Sequence, residues 1–273
     1  MDNLYFRLKV FLAVLAMVVL LGSVTMSLTE SWRYMDALYF SVVTVATVGY
    51  GDITPVTTAG RIVAMLMIIT GVGTFLGVVA NTAEIFIYSR EREARKEKLH
   101  IIVGVFFSEG GTDLLRTLAQ ADKGVETLRP ALMVSDKWSE GQYRAARQSL
   151  KAHDYALDVA LVDMEALRGF LLTKGELLLR LIENPYIMEH ESFTDLLRSA
   201  LHLKEELLHR PGFKGLPEAD YKHLAGDMRR VSGFISREWL DYMQYLQTSY
   251  PYLFSLAWRT NPFNPDSGAV VKG

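Results

Sequence analysis

The chain has 273 residues, 50% of them hydrophobic, with a formal net charge of −2 and no cysteine. The near-neutral charge argues against a nucleic-acid surface, which needs a strong basic excess, and the lack of cysteine excludes disulfides and thiolate metal sites. Few of the charged residues precede residue 88, and those that follow it are nearly balanced in sign. The sequence therefore predicts an apolar N-terminal part and a polar C-terminal tail.

Two uncharged apolar segments, residues 10–28 and 62–83, predict membrane-spanning helices. Each is close to the roughly 20 residues that a helix needs to cross a bilayer, and neither shows the polar face of a half-buried helix. The first is long for a signal peptide and lacks a small-residue cleavage pattern, so we expect it to be retained. Basic residues flank the pair on both outer sides, which predicts a multi-pass protein of the cell membrane, contacting lipid, with both termini cytoplasmic.

A short re-entrant helix is predicted between the two spans, at about residues 34–46. This segment is too short to cross the membrane and return, yet it is apolar enough to dip into it. Such a helix is tolerated where protein buries it and a watery cavity lies beside it. Its C-terminal end carries a partial negative charge, which would favour a cation held nearby.

The next five residues, 47–51, have the order of the potassium-channel filter string. A dehydrated K⁺ needs oxygens on all sides, and one strand offers carbonyls from one side only, so several chains must surround the ion. Successive carbonyls face one axis when ordinary and left-handed dihedrals alternate, which Gly49 and Gly51 allow without a Cβ clash. We expect Thr47 to add its hydroxyl, and Val48 and Tyr50 to point away and pack behind the filter. The alternative is an ordinary glycine-rich turn.

Residues 44–52, followed by residues 54–57 and 60–61, resemble the pore module of two-transmembrane prokaryotic potassium channels. The likeness covers roughly residues 8 to 95. It implies a homotetramer in which each chain supplies an outer helix, a pore helix, a filter and an inner helix. K⁺ ions are then the only cofactor, and they are bound by the filter residues, which are Thr47, Val48, Gly49, Tyr50 and Gly51.

The resemblance also assigns residues around the filter. Asp52 falls at the outer mouth, and Gly71 falls where the family has its inner-helix hinge. Val43 departs from those members that have a glutamate bonded to the aspartate behind the filter. We expect Tyr39 to bond Asp52 instead.

The predicted inner helix contains small and charged residues with two interpretations each. Gly71, Gly73 and Gly77 either form a gating hinge or let helices approach closely, and packing is favoured for the last two. Glu84 either forms a ring of carboxylates near the cytoplasmic mouth that concentrates K⁺, or reaches the interface and pairs with a cation such as Arg90.

Three domains are predicted: a pore domain at residues 1–88, a helical linker at 89–109, and a cytoplasmic regulatory or assembly domain at 110–273. Strong helix formers at residues 89–98 extend the inner helix. Residues 100–107 are apolar and precede a glycine-rich turn and a helix, which is the order that begins a nucleotide-binding βαβ unit. Residues 131–136 are a candidate second strand, but the spacing after Gly104 fails the G-x-G-x-x-G pattern. A degenerate Rossmann-like domain is therefore the alternative.

Apolar residues at three-to-four spacing predict tail helices at residues 142–151, 159–182, 193–209 and 220–246. We favour a bundle of about four helices over residues 110–250, followed by an aromatic segment that packs on it and a frayed end. The fold class is then mainly α, a tetrameric pore of two transmembrane helices and a re-entrant helix, with a cytoplasmic helical bundle.

Histidines and carboxylates recur at helical spacing in the tail, within residues 190–227. They suit a metal site inside a bundle, although the Glu-x-x-His pairs of di-iron bundles are missing. Helix caps and intrahelical ion pairs are the alternative. The candidate ligands are His202, Glu206, His223 and Asp227, with His190, Glu191 and Asp195 nearby.

The resulting functional prediction is a potassium-selective channel that conducts K⁺ passively and is gated at its inner helices by the tail. The alternative keeps the pore and makes the tail a tetramerisation scaffold only. A tail with enzyme activity is disfavoured, since it has no nucleophile triad, P-loop or HExxH motif. The expected partners are further copies of the chain, membrane lipid and an unknown cytoplasmic ligand, and no nucleic acid.

Overall fold

The structure, a computed structural model, describes residues 2–188 and 190–270. Within these residues the chain is helical between its turns, and the β-type pairing is an isolated bridge between Asp122 and Leu157. Two compact units can be separated, Met1–Ala94 and Arg95–Gly273. The prediction of a mainly α protein is confirmed.

The first unit is a small bundle around the predicted spans. It consists of α1 (Asp2–Glu30), α2 (Tyr34–Val45), α3 (Thr58–Met67), a π-helical turn (Ile68–Val72) and the first part of α4 (Gly73–Phe106). Helix α1 packs against both α2 and α3. The buried hydrophobic side chains of this unit's core cluster are Met26, Ala37, Phe40, Val45, Ala64 and Met67.

Two continuous helical stretches of the described chain are long and apolar enough to cross a membrane, Asn3–Glu30 and Thr58–Ala121. In the most apolar part of each stretch only 17% is buried within one chain, as expected of helices that face lipid. Close approach of the two helices uses glycine, because a Cβ on Gly77 would lie 2.6 Å from Cε1 of Phe11. The packing interpretation of Gly77 is thus confirmed, whereas a Cβ on Gly73 meets nothing within 4 Å.

The second unit is a helical domain. Helix α10 (Glu191–Leu208) packs against α8 (Met164–Ile182) and α11 (Glu218–Ser249), and α11 also contacts α5 (Thr112–Ala121) and α7 (Glu140–Ala152). The shorter helices are α6 (Val125–Leu128), α9 (Pro185–Met188) and α12 (Pro251–Arg259). A single core of leucine, methionine and aromatic side chains joins these helices.

The four predicted tail helices correspond to α7, α8, α10 and α11, so the bundle prediction is confirmed. Helix α8 begins at Met164, later than the predicted residue 159, because Asp163 caps it by accepting from the amide of Ala166 at 3.0 Å. The aromatic segment packs on the bundle as expected, with Phe254 and Phe263 buried, and it contains helix α12. The predicted frayed end extends into residues 271–273, which lie outside the described part.

The alternative of a degenerate Rossmann-like domain is not supported. Residues 100–106 continue helix α4, and Val103, Phe106 and Phe107 are buried at the spacing of one helix face. The proposed second strand begins within a 3₁₀ turn, Arg129–Leu132, and no ladder forms among the described residues. The extension of the inner helix through residues 89–98 is confirmed.

Candidate functional sites

The backbone after α2 alternates in handedness. Thr47, Gly49 and Gly51 have φ values of +62°, +55° and +75°, whereas Val48 and Tyr50 are not among the described residues with positive φ. The alternation predicted for the two glycines is confirmed, and Thr47 extends it. A β-branched residue in the left-handed region is strained, so the surrounding structure must hold Thr47 there.

Hydrogen bonds to the end of α2 hold the loop in this conformation. The carbonyl oxygen of Thr44 accepts from the amide of Thr47 at 3.1 Å, and the carbonyl oxygen of Val43 accepts from Val48 and Gly49 at 3.0 and 3.3 Å. Three successive amides of the loop therefore turn back toward the helix. In the described chain, no group donates a hydrogen bond to the carbonyl oxygens of residues 47–51. This backbone thus offers a row of free acceptors.

Side chains around this loop fulfil one expectation and leave another unmet. The hydroxyl of Tyr39 donates to Oδ2 of Asp52 at 2.9 Å, as predicted from the missing glutamate at Val43. Val48 and Tyr50 are 52% and 72% exposed, so one chain does not supply the packing expected behind them.

Glu30 is a structural residue that the sequence reasoning missed. Its carboxylate accepts from the amide of Val56 at 3.1 Å, and from the amide and the hydroxyl of Thr57 at 3.0 and 2.7 Å. The Thr57 hydroxyl in turn accepts from the amide of Gly60 at 2.9 Å and caps α3. Glu30 therefore fastens the end of α1 to the start of α3. The available signal was an acidic residue that ends an apolar span.

Gly71 lies in the π-helical turn between α3 and α4. A Cβ there would lie 2.6 Å from Cγ2 of Val45, so this glycine brings the inner helix against the end of α2. Thr70 and Thr74 donate their hydroxyls to carbonyls four residues earlier, a pattern that favours bending of helices. Turns with π geometry are frequent at functional sites.

Glu84 is exposed on α4. Among the described residues Glu84 makes no ion pair, and the guanidinium of Arg90 lies instead 4.8 Å from the ring centroid of Phe86. The pairing of Glu84 with Arg90 is therefore not present.

The last turns of α4 are anchored within the second unit. The ammonium of Lys98 donates to the hydroxyl of Tyr186 on α9 at 2.8 Å. The ring of His100 stacks on Tyr245 of α11, with centroids 3.8 Å apart. The end of this helix is therefore held by side chains of two other helices.

The four candidate metal ligands of the tail lie together, with their ligand atoms all within 4.8 Å of one another. They come from facing positions on α10 and α11. The nearby His190, Glu191 and Asp195 do not join them: His190 caps α10 by accepting from the amide of Phe193 at 3.3 Å. A hydrogen bond from Arg210 lowers the pKa of Glu206 below its ordinary value.

A cavity of about 1120 Å³ opens in the second unit between residues 157–165 and 212–225. Phe213, Tyr221 and Met164 form part of its apolar lining. Its lining also includes two ion pairs with N–O distances of 2.7 Å, which are Lys123 with Asp158 and Lys222 with Glu218. The cavity is a candidate place for a small ligand.

Comparison with known proteins divides the chain close to the boundary between the two compact units. Residues 12–88 match a family described as "Ion channel", and residues 95–259 match one described as "Uncharacterized protein MJ1433, C-terminal helical domain". The uncharacterized protein MJ1433 of Methanocaldococcus jannaschii is 39% identical over 178 residues, which cover 65% of this chain and 71% of that protein.

Two channels are similar over a shorter length of the chain. Potassium channel protein 1 of the same organism is 35% identical over 89 residues, 33% of this chain and 27% of that protein. The calcium-gated potassium channel TvoK of Thermoplasma volcanium is 40% identical over 99 residues, 33% of this chain and 28% of that protein. This chain therefore spans little more than a quarter of the length of either channel. No solved structure matches.

The first unit is thus an ion channel pore of the prokaryotic potassium-channel type, which makes the protein a membrane channel and not an enzyme. Since the second match covers more than half of the chain, the protein belongs to the MJ1433 family and carries that family's C-terminal helical domain after the pore in sequence.

Proposed function

We propose that this protein is a potassium-selective channel formed by four copies of the chain. The observation that carries the proposal is the row of free carbonyl oxygens at residues 47–51, with left-handed backbone at Thr47, Gly49 and Gly51. Such oxygens replace the water around a permeating K⁺ when several chains surround one axis. The names of the two similar channels support potassium as the ion.

The exposed apolar surface of the first unit supports assembly of copies. Val48 and Tyr50 lie beside the free carbonyls and are more than half exposed in one chain. Neighbouring copies would cover these side chains and bring their carbonyls to the same axis. The C-terminal ends of the α2 helices would then face the axis and favour a cation below the filter.

The proposed orientation places Asp52 and the filter mouth outside the cell and both chain termini in the cytoplasm. It rests on the basic residues that flank the two spans, which are Arg7 and Lys9 before α1 and Arg90, Arg92, Arg95, Lys96 and Lys98 in α4.

Flux from liposomes tests the proposal. The full chain, reconstituted as a particle of four times the 30.8 kDa chain mass, should release K⁺ down its gradient and retain Na⁺. Equal flux of both ions from well-folded tetramer would overturn it.

The proposed role of the C-terminal domain is to gate this pore. Helix α4 runs without a break from Gly73 to Phe106, and its last turns are held by α9 and α11 through Lys98 and His100. A change in the domain can therefore reach the inner helix as bending or rotation. The second candidate is that the domain only holds four chains together. The large apolar core of the domain supports this candidate.

A further inference from the structure

Two neighbouring helices of the second unit each present a histidine followed four residues later by a carboxylate. His202 and Glu206 stand on α10, and His223 and Asp227 stand on α11. Residues four apart share one helix face, and α10 packs against α11. The packing therefore brings both pairs into one cluster.

The spacing of the ligand atoms suits a single small cation. Nε2 of His202 lies 3.8 Å from Oε1 of Glu206 and 3.7 Å from Oδ1 of Asp227. Nε2 of His223 lies 3.4 Å from a carboxylate oxygen of each acid. A tetrahedral ion with bonds of about 2.1 Å has ligand–ligand edges of about 3.4 Å. The ligand atoms all lie within 4.8 Å of one another, so side-chain rotations that draw them together reach that geometry.

An unsatisfied buried oxygen points independently to a ligand. The side chain of Asp227 is 3% exposed, and its Oδ2 has no hydrogen-bond partner among the described residues. The neighbour of this oxygen within the cluster is Nε2 of His223, at 3.4 Å. A buried carboxylate oxygen without a partner is costly, and a bound cation removes that cost.

Arginines hold the outer sides of both acids. Arg210 donates to Oε2 of Glu206 at 2.8 Å, and Arg230 donates to Oδ1 of Asp227 at 3.1 Å. Arg210 is itself paired with Asp220 at 2.7 Å, which offsets its charge. Hydrogen bonds to ligating carboxylates are common in metal sites, where they orient the ligand. The other oxygen of each acid is free of these arginine bonds: Oε1 of Glu206 lies 3.8 Å from Nε2 of His202, and Oδ2 of Asp227 lies 3.4 Å from Nε2 of His223.

We propose that His202, Glu206, His223 and Asp227 bind one divalent transition-metal ion of the zinc class. Two imidazoles and two carboxylates suit zinc, cobalt or nickel, whereas calcium and magnesium prefer oxygen ligands alone. The side chains of His202 and His223 are 46% and 52% exposed, so an ion can enter from solvent. The bound ion joins α10 to α11, and this role is independent of which ion the pore conducts.

Metal titration of the full chain tests the site. The tetramer is purified in detergent, freed of any affinity tag, stripped with a chelator and titrated with Zn²⁺ in a calorimeter. We expect one ion per chain, not displaced by millimolar Ca²⁺ or Mg²⁺, and a thermal unfolding temperature several degrees higher with Zn²⁺. Co²⁺ should give the intense visible absorption of a tetrahedral complex.

Matched variants locate the ion. Asp227→Asn and His202→Gln should each weaken Zn²⁺ binding at least about 100-fold, beyond the loss typical of an outer-shell change. His202 is half exposed, so its variant keeps the test valid if the buried Asp227→Asn fails to fold. His209→Gln is the control, because His209 lies just after α10 and bonds the carbonyl of Glu205. Absence of zinc binding to the stripped protein, or equal binding by His202→Gln and the parent, would overturn the proposal.

Discussion

The handedness of three residues decides where the oxygens of the filter loop point. The two glycines could be assigned positive φ from sequence, because glycine alone adopts it without a Cβ clash. Thr47 could not, since β-branched residues rarely adopt this region. Its φ of +62° depends on how the end of α2 holds the loop amides, which is a tertiary property.

Alanine at Gly49 should abolish K⁺-selective flux while leaving the tetramer intact. A Cβ at φ of +55° costs about 1–2 kcal/mol per chain, and relief of that strain turns the carbonyls from the axis. Liposome flux and particle mass measure the two effects. Gly73→Ala is the control, because its Cβ meets nothing within 4 Å. Normal K⁺ flux through Gly49→Ala would contradict the assigned filter.

Glutamine at Glu84 should lower the single-channel K⁺ current at low salt. Exposed carboxylates in four copies would concentrate K⁺ near the inner mouth, and the effect should fade as salt screens them. Single-channel recording over a range of K⁺ concentrations checks this expectation. An unchanged current at the lowest concentration would rule out the ring of Glu84 side chains.

Helix α4 shows which properties of a helix can be predicted from its sequence. Its charged stretch at residues 89–98 was predicted to be helical, since it consists of strong helix formers. The apolar run that follows is ambiguous by itself, because a short run fits a buried strand or a helix. The burial of Val103, Phe106 and Phe107 on one face, which depends on α11 and its neighbours, decides for the helix.

Alanine at Gly71 should destabilise the pore, because its Cβ would lie 2.6 Å from Val45. Overpacking of this kind costs about 1–3 kcal/mol. Val45→Ala should offset the loss, so the double variant is more stable than the sum of the single effects predicts. Thermal unfolding of all three variants measures the coupling. Additive losses would contradict the contact, and altered gating in the double variant would favour the hinge.

Glycines at Arg92 and Glu93 should change open probability severalfold if α4 carries the gating movement. Each glycine weakens the exposed helix by about 1 kcal/mol relative to alanine. The matched control is the pair of alanines, which removes the same charges and keeps the helix. Bilayer recording and tetramer yield are measured for both pairs. Unchanged open probability with reduced yield would favour the scaffold role.

At the scale of the whole molecule, features that depend on local sequence patterns could be predicted, whereas most long-range contacts could not. Span length, flanking charge and the filter string predicted the pore, and helical spacing predicted the bundle and the two histidine–carboxylate pairs. The bond between Glu30 and Thr57 joins residues 27 apart, so the local sequence around Glu30 does not identify its partner. Likewise, only the packing of α10 on α11 brings His202 within 3.7 Å of Asp227.

The reversal potential of a single channel, with K⁺ on one side of a bilayer and Na⁺ on the other, tests the central claim most directly. Free carbonyls that replace the hydration shell of K⁺ should exclude Na⁺, and a tenfold preference corresponds to about 59 mV for a monovalent ion. We predict a reversal potential at least that far from zero, toward the K⁺ equilibrium value. A reversal potential near zero, recorded from intact tetramer, would contradict the claim.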